Sequence, residues 1–151
     1  MRLWILNNVS LINGPNLNML GIREIEIYGS TSYETLIKDF DVAAKKLGFN
    51  VEIFQSNIEG ELVQYIQKLS KLNNNWIIIN PGAYTHTSIA LRDALSIFIQ
   101  NNKVVEVHVS SPNNRESFRK INLIEDLCEK SFVGLGIQGY FEALRYISEH
   151  L

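Results

Sequence analysis

The run Trp76-Ile77-Ile78-Ile79, closed by Asn80-Pro81-Gly82 and followed by helical spacing from about His86, constrains the fold more than any other stretch. Large apolar residues without alternation describe a strand covered on both faces, and a polar amide with a Pro-Gly turn hands such a strand over to a loop. Open α/β sheets bind ligands at the carboxyl ends of their strands. Asn80, Tyr84, Thr85 and His86 therefore sit where chemistry is expected.

Similar units lie on either side. Leu3 to Asn13 contains a first strand, best matched by Val9 to Asn13, with Asn7 and Asn8 interrupting its start. Gly14 to Gly29 reads as a long loop, a length that is usually functional or disordered. Its apolar residues Leu17, Met19, Leu20, Ile22, Ile25 and Ile27 suit a lid that packs, over about 17–29. Thr31 and Glu34 match a capping box, and Leu36, Phe40, Ala44 and Leu47 carry a helix to Gly48. Asn50 to Gln55 alternates as a second strand. Leu62, Ile66 and Leu69 mark a second helix starting near Asn57. The helix after Asn80 buries Leu91, Ala94, Leu95, Phe98 and Ile99. Val104 to Val109 is a fourth strand and Ser110 to Arg119 a polar loop. Ile121 to Lys130 is a candidate short helix, Ser131 to Val133 a fifth strand, and Tyr140, Ala143, Leu144 and Ile147 stripe a last helix.

Parallel strands need crossover connections, so five strands alternating with helices predict an α/β, doubly wound parallel sheet with helices on both faces. The usual five-stranded order, 2-1-3-4-5, sets strands one and three side by side at the switch point. The Asn13–Asn16 turn, the Asn80 turn and the His108-Val109-Ser110 end of strand four then line one crevice. The 151 residues, 46% of them hydrophobic, fit one domain over 1–151 with one substantial core.

A net charge of −2 gives no general attraction to nucleic acid or to an anionic membrane. No apolar run approaches the roughly 18 residues of a spanning helix. Met1 to Ser10 lacks the pattern of a secretory leader. The single cysteine, Cys128, excludes an internal disulfide and a Cys-rich zinc site, which suits a reducing cytoplasm. Its plainest role is a small apolar filler.

The site must name the chemistry. The turn after strand one is neither glycine-rich nor Ser/Thr-rich, and Pro15 removes an amide donor, which argues against a phosphate cradle. Strand three ends in Asn80, not the Asp of a phosphoryl acceptor. His86 and His108 have no evident third ligand, so no metal and no cofactor is expected. Proton chemistry remains. A tyrosine must be shifted by about two units to act as a base near neutrality, roughly 2.7 kcal/mol. A guanidinium at ~4 Å and an effective dielectric near 20 supplies about 4 kcal/mol before desolvation. Tyr28 has Arg23 in its own loop, and Arg115 and Arg119 follow strand four. His108 is a candidate general acid, with Glu106 on the same strand face, although periodicity alone does not guarantee their contact. Each residue also has a plainer role. Tyr28 alone is more often a packing tyrosine, His108 a structural histidine, and Arg23, Arg92, Asp93 and Glu106 surface charges. Asn16 and Asn80 double as turn residues, and His86 as a helix opener.

Four blocks together are more specific. Ile12-Asn13-Gly14-Pro15-Asn16-Leu17-Asn18-Met19-Leu20-Gly21 with Arg23-Glu24 and Tyr28-Gly29 resembles the opening signature of type II 3-dehydroquinate dehydratases. Ile79 to Ala94 is similar to the second block of that family, Glu106 to Ser110 with Arg115-Glu116 and Phe118-Arg119 to the third, and Gly134 to Tyr140 to the last. The pattern departs at Ser111, where Asn is usual, at Ile25, where Pro is common, and over 121–130, which lacks the usual Ser-containing pattern.

The resemblance implies a flavodoxin-like subunit in a cytoplasmic dodecamer built from trimers, dehydrating 3-dehydroquinate to 3-dehydroshikimate in the shikimate pathway. It implies that Tyr28 removes the proton beside the ketone, that Arg23 supports its ionised form, and that Asn16 helps place a water on an enolate. It further implies that His108 protonates the departing hydroxyl, oriented by Glu106. Asn80, His86, Val109, Ser110 and Arg119 would bind substrate, with Arg115 near Tyr28 or the lid. In a continuous helix His86 and Asp93 would lie about 10.5 Å apart along the axis, too far to share one small ligand easily. Asp93 also points away from the core face, beside Ile97, which suggests a subunit contact; the family supplies this aspartate to a neighbouring site. The alternative is a non-catalytic flavodoxin-like module that binds a small molecule. A lysine imine is disfavoured because Lys103 begins strand four, at the wrong end of the sheet.

Overall fold

β1 (Asn7–Asn13) begins the part of the chain that the computed structural model describes, residues 7–151. The stretch 1–6, with the earlier part of the expected first strand and most of the segment in which no leader pattern is found, lies outside the described residues. A 3-10 turn (Leu17–Met19) and the short helix α1 (Ile25–Tyr28) follow, then α2 (Tyr33–Lys46), β2 (Phe49–Gln55) and α3 (Glu59–Leu69). β3 (Trp76–Asn80) leads through a 3-10 segment (Gly82–His86) into α4 (Ile89–Phe98). β4 (Lys103–His108), β5 (Lys130–Val133) and α5 (Gln138–Glu149) complete the chain.

All four strand pairings are parallel and the order is β2-β1-β3-β4-β5, as the sequence predicts. β3 occupies the centre and is buried along its whole length, which explains its unbroken apolar run. Alternation divides the core. Val9, Leu11, Ile78, Val105 and Val107 pack with Phe40 of α2 and with Tyr140, Leu144 and Ile147 of α5. Ile12, Ile77, Ile79 and Val104 pack with Leu62 and Ile66 of α3 and with Leu91, Leu95 and Phe98 of α4. By the same parity Asn13 and Asn80 face α5, whereas Glu106 faces the α3/α4 side.

Four local expectations need correction. The cap of α2 is Ser32, whose Oγ accepts from the Thr35 amide, not Thr31. The helix after β3 begins at Ile89 rather than near His86, because Ser88 is its N-cap and accepts from the Leu91 amide. His86 and Asp93 are therefore not on one continuous helix. Within 121–130 only a 3-10 turn (Glu125–Leu127) forms. Near either end a donor is drawn into a tertiary bond instead: the Leu123 amide to Thr85 O and the Glu129 amide to Val104 O. The glycine-punctuated loop after β1 is also not structureless, since Leu17 and Leu20 are buried and anchor its first half.

Among the described residues no helix is long and apolar enough to cross a membrane, and no cluster of three or more His, Cys, Asp or Glu side chains could hold a metal.

Candidate active site

The ends of β1 and β3 meet at the switch point with little space between them. The Gly14 amide donates to Asn80 O at 2.8 Å, and a Cβ on Gly14 would stand 2.3 Å from Pro81 O. Only glycine allows that approach. Beneath it, Tyr140 of α5 ties both strands: its hydroxyl donates to Asn13 Oδ1 at 2.7 Å and accepts from Asn80 Nδ2 at 2.9 Å. Asn80 Oδ1 in turn accepts from the Gly82 amide at 3.1 Å. Both asparagines are buried, so these bonds satisfy groups that would otherwise be costly to desolvate. Burial pushes the Tyr140 phenol well above its ordinary range, more than the Asn80 bond lowers it, so it serves as a neutral bridge.

Above this floor opens a crevice with a cavity volume of about 310 Å³, the size of a small-molecule site. Asn16, Arg23, Tyr28, Asn80, His86, His108, Val109, Ser110, Arg115 and Arg119 all contribute to its wall. Arg23, Arg115, Arg119 and Lys120 face it against one carboxylate, Glu125, so its charge favours an anionic ligand.

Tyr28 ends α1 and is half-buried at the lip. The Arg23 guanidinium carbon lies 3.9 Å from its ring centroid and that of Arg115 5.4 Å. Both are within cation–π range. Arg115 also donates from Nη1 to Ser110 Oγ at 2.9 Å, which ties it to the end of β4. A single phenol thus carries two cations from separate loops.

His108 also lines the crevice; its Nε2 and Glu106 Oε2 are 2.9 Å apart, so the two do make contact. Glu106 has no solvent exposure. Asn122 Nδ2 donates to both its oxygens at 3.1 Å, and Ser131 Oγ donates to Oε1 at 2.6 Å. Burial pushes this carboxyl up, but the bonds from His108, Ser131 and Asn122 outweigh it and hold the group below the usual carboxylate range. Neither Asn122 nor Ser131 stands out in the sequence. Ser131 is found only from the register, which pairs it with Glu106.

His86 contacts Ile121 O through Nδ1 at 2.6 Å, and since a carbonyl only accepts, Nδ1 carries the proton there. Asn16 has a left-handed backbone, φ 68°, with its amide donating to Asn57 Oδ1 at 3.0 Å. Val109 is buried, and the Arg119 Nε is held by Glu116 at 2.7 Å. Tyr84 donates to Asn57 O at 2.8 Å, and Thr85 is buried at the crevice wall. Asp93 is not among the crevice residues; it is exposed on α4 between Ile89 and Ile97, themselves 65% and 52% exposed. Arg92 is engaged by Asp126 through both terminal nitrogens, at 2.6 and 2.8 Å. Cys128 packs beside the α3/α4 core, with its thiol pushed up by burial and then by the charge of Glu106. Lys103 opens β4 and lies over the Trp76 ring, at the far end of the sheet.

The sequence matches the family described as Dehydroquinase class II over residues 7–148. The 3-dehydroquinate dehydratase of Caldicellulosiruptor bescii is 47% identical over 146 residues, covering 97% of this chain and 99% of that protein. That of Thermotoga maritima is 46% identical over 145 residues, with 95% and 96% covered. Among solved structures, the type II dehydroquinase of Butyrivibrio crossotus matches with a TM-score of 0.90 at 44% identity, over 94% of this chain and 97% of that one.

Proposed function

This chain belongs to the class II dehydroquinase family, and on that premise we propose that it dehydrates 3-dehydroquinate to 3-dehydroshikimate, a lyase step of the shikimate pathway. Tyr28 takes a proton from the carbon beside the ketone, giving an enolate. The enolate then expels the hydroxyl, which leaves as water with a proton from His108. Tyr28 gains one proton and His108 loses one, so exchange with solvent resets the pair. Arg23 and Arg115, stacked on the Tyr28 ring, stabilise the negative form of the base. Asn16 helps place a water on the enolate oxygen. Arg119 receives the substrate carboxylate with its terminal nitrogens, because its Nε is already occupied by Glu116. Asn80, His86, Val109 and Ser110 orient the ring, and Glu106 orients His108.

The segment 17–29 serves as a lid whose first half stays anchored through Leu17 and Leu20. The working form is a cytoplasmic dodecamer built from trimers, in which Asp93 reaches the neighbouring subunit's crevice. The exposed stripe Ile89, Asp93, Ile97 supports this reading, since apolar residues flanking a charge suit a subunit contact.

The observation that carries the proposal is one crevice lined both by a tyrosine flanked by two guanidiniums and by a histidine backed by a buried carboxylate. Adding 3-dehydroquinate is expected to produce a growing conjugated-enone absorbance, unaffected by chelators or borohydride. Tyr28→Phe is expected to lower kcat by about 10²–10⁴, the usual contribution of a positioned proton-transfer group. No absorbance change from correctly assembled protein would leave the chain as a binding module.

A further inference from the structure

Glu106 is surrounded by donors and offered almost nothing to donate to. Its two oxygens receive both contacts from Asn122 Nδ2, the Ser131 hydroxyl, and His108 Nε2. Asn122 cannot turn its amide around, because its Oδ1 already accepts from the Ile124 and Glu125 amides, both at 3.0 Å. Its NH2 group must therefore point at Glu106. Ser131 is fixed by the β4–β5 register, which sets it beside Glu106. The charged or titratable groups around the carboxylate are His108 from its own strand and the Cys128 thiol, which feels the Glu106 charge from the segment before β5.

A carboxylate with only donors around it must accept from His108, so Nε2 carries the hydrogen and Nδ1 is left for the crevice. We propose that Asn122 and Ser131 are positioning residues that hold Glu106 as an ionised acceptor, so that its charge keeps a hydrogen on His108 Nε2 while Nδ1–H is the hydrogen given to the departing hydroxyl. The proposal rests on the reading of His108 as the proton donor. Without the two donors, burial favours a protonated Glu106. Its hydrogen would come from Nε2, leaving a neutral ring with a hydrogen on Nδ1 alone and no charge beside it, a much weaker acid.

Two variants test this in the full-length assembled protein. Asn122→Asp keeps the oxygen that caps Ile124 and Glu125 but replaces the donor with a second carboxyl group. Ser131→Ala removes one hydroxyl from a strand that remains packed. Each is expected to lower kcat about tenfold or more, a fraction of a general acid's usual worth, while KM changes less than about threefold. Nitrogen-15 shifts of the His108 ring in its acid form are expected to show Nε2 losing its hydrogen to the carboxyl while Nδ1 keeps its own, which a purely structural role would not cause. Ser131→Thr, which keeps the hydroxyl, is expected to retain both kcat and the Nε2 hydrogen. A folded Asn122→Asp,Ser131→Ala double variant with kcat within about twofold and an unchanged Nε2–H signal would overturn the proposal. His108→Gln separates the two readings. If it stays active, the proton-donor role fails; if it is inactive while the double variant is not, only the positioning role fails.

Discussion

At the scale of the residue, Glu106 links the site to the stability of the subunit. Its folded-state value is depressed below the ordinary 4.5. The stabilisation is therefore complete above about pH 4.5 and is lost as pH falls through the folded value. Glu106→Gln is expected to be less stable at pH 7, by about 1–3 kcal/mol, because its NH2 group meets the Asn122 donor. That deficit narrows as pH falls below about 4.5 and through the folded value, where the native carboxylate takes up its proton; thermal melts of both proteins at descending pH from 7 check it, and a constant gap throughout would contradict it. That Tyr28, Arg23 and His108 share one crevice, with Glu106 in contact with His108, is legible only from the motif blocks taken together, since each residue singly has a plainer use. Asn122 and Ser131 were not legible, because they lie 16 and 25 residues from Glu106 and reach it through strand register and one tertiary turn. An asparagine and a serine have many plainer uses, so residue type alone did not mark them.

Among elements, the crossing of the β1 and β3 turns carries the most constraint. Gly14→Ala would drive a methyl group into the Pro81 carbonyl, and because the clash is with backbone it cannot be relieved by a side chain swinging aside. A loss of about 1–3 kcal/mol is expected, seen as a lower Tm, together with reduced kcat because Asn80 and Gly82 shift with the turn. Gly29→Ala offers a control of opposite character: its Cβ would meet nothing within 4 Å, leaving only the strain of φ 83°. Strand existence and order were legible because apolar runs and helical periods recur in turn along the chain. Helix beginnings were less so. Ser32 and Ser88 outcompete their neighbours as caps, and near a helix start several Ser and Thr residues offer the same hydroxyl. The segment 121–130 misled for a different reason. Ile124, Leu127 and Cys128 give it helical spacing, yet the Leu123 and Glu129 amides go to Thr85 O and Val104 O and the Ile124 and Glu125 amides to the Asn122 side chain, which leaves room for only a 3-10 turn between them.

Across the whole molecule, the position of Asp93 outside its own crevice makes a prediction about assemblies. Asp93→Ala is expected to impair turnover or substrate affinity without loss of fold. A co-refolded mixture with Tyr28→Phe should recover activity above either parent, up to about a quarter of the unmodified level if subunits mix at random. No recovery in oligomers shown to be mixed would place Asp93 in its own subunit's chemistry or outside it altogether. The flavodoxin-like order was legible in full, whereas whether a side chain such as Asp93 reaches another copy depends on surfaces that a single sequence does not pair. The Tyr140 bridge adds a consequence in time rather than in space. Its hydroxyl joins Asn13 across 127 positions, so the crevice floor cannot close until the final helix has left the ribosome. A growing chain can stack its first strands early, but it has no working crevice while synthesis continues. A product cut short before Tyr140 would be inert rather than half-active.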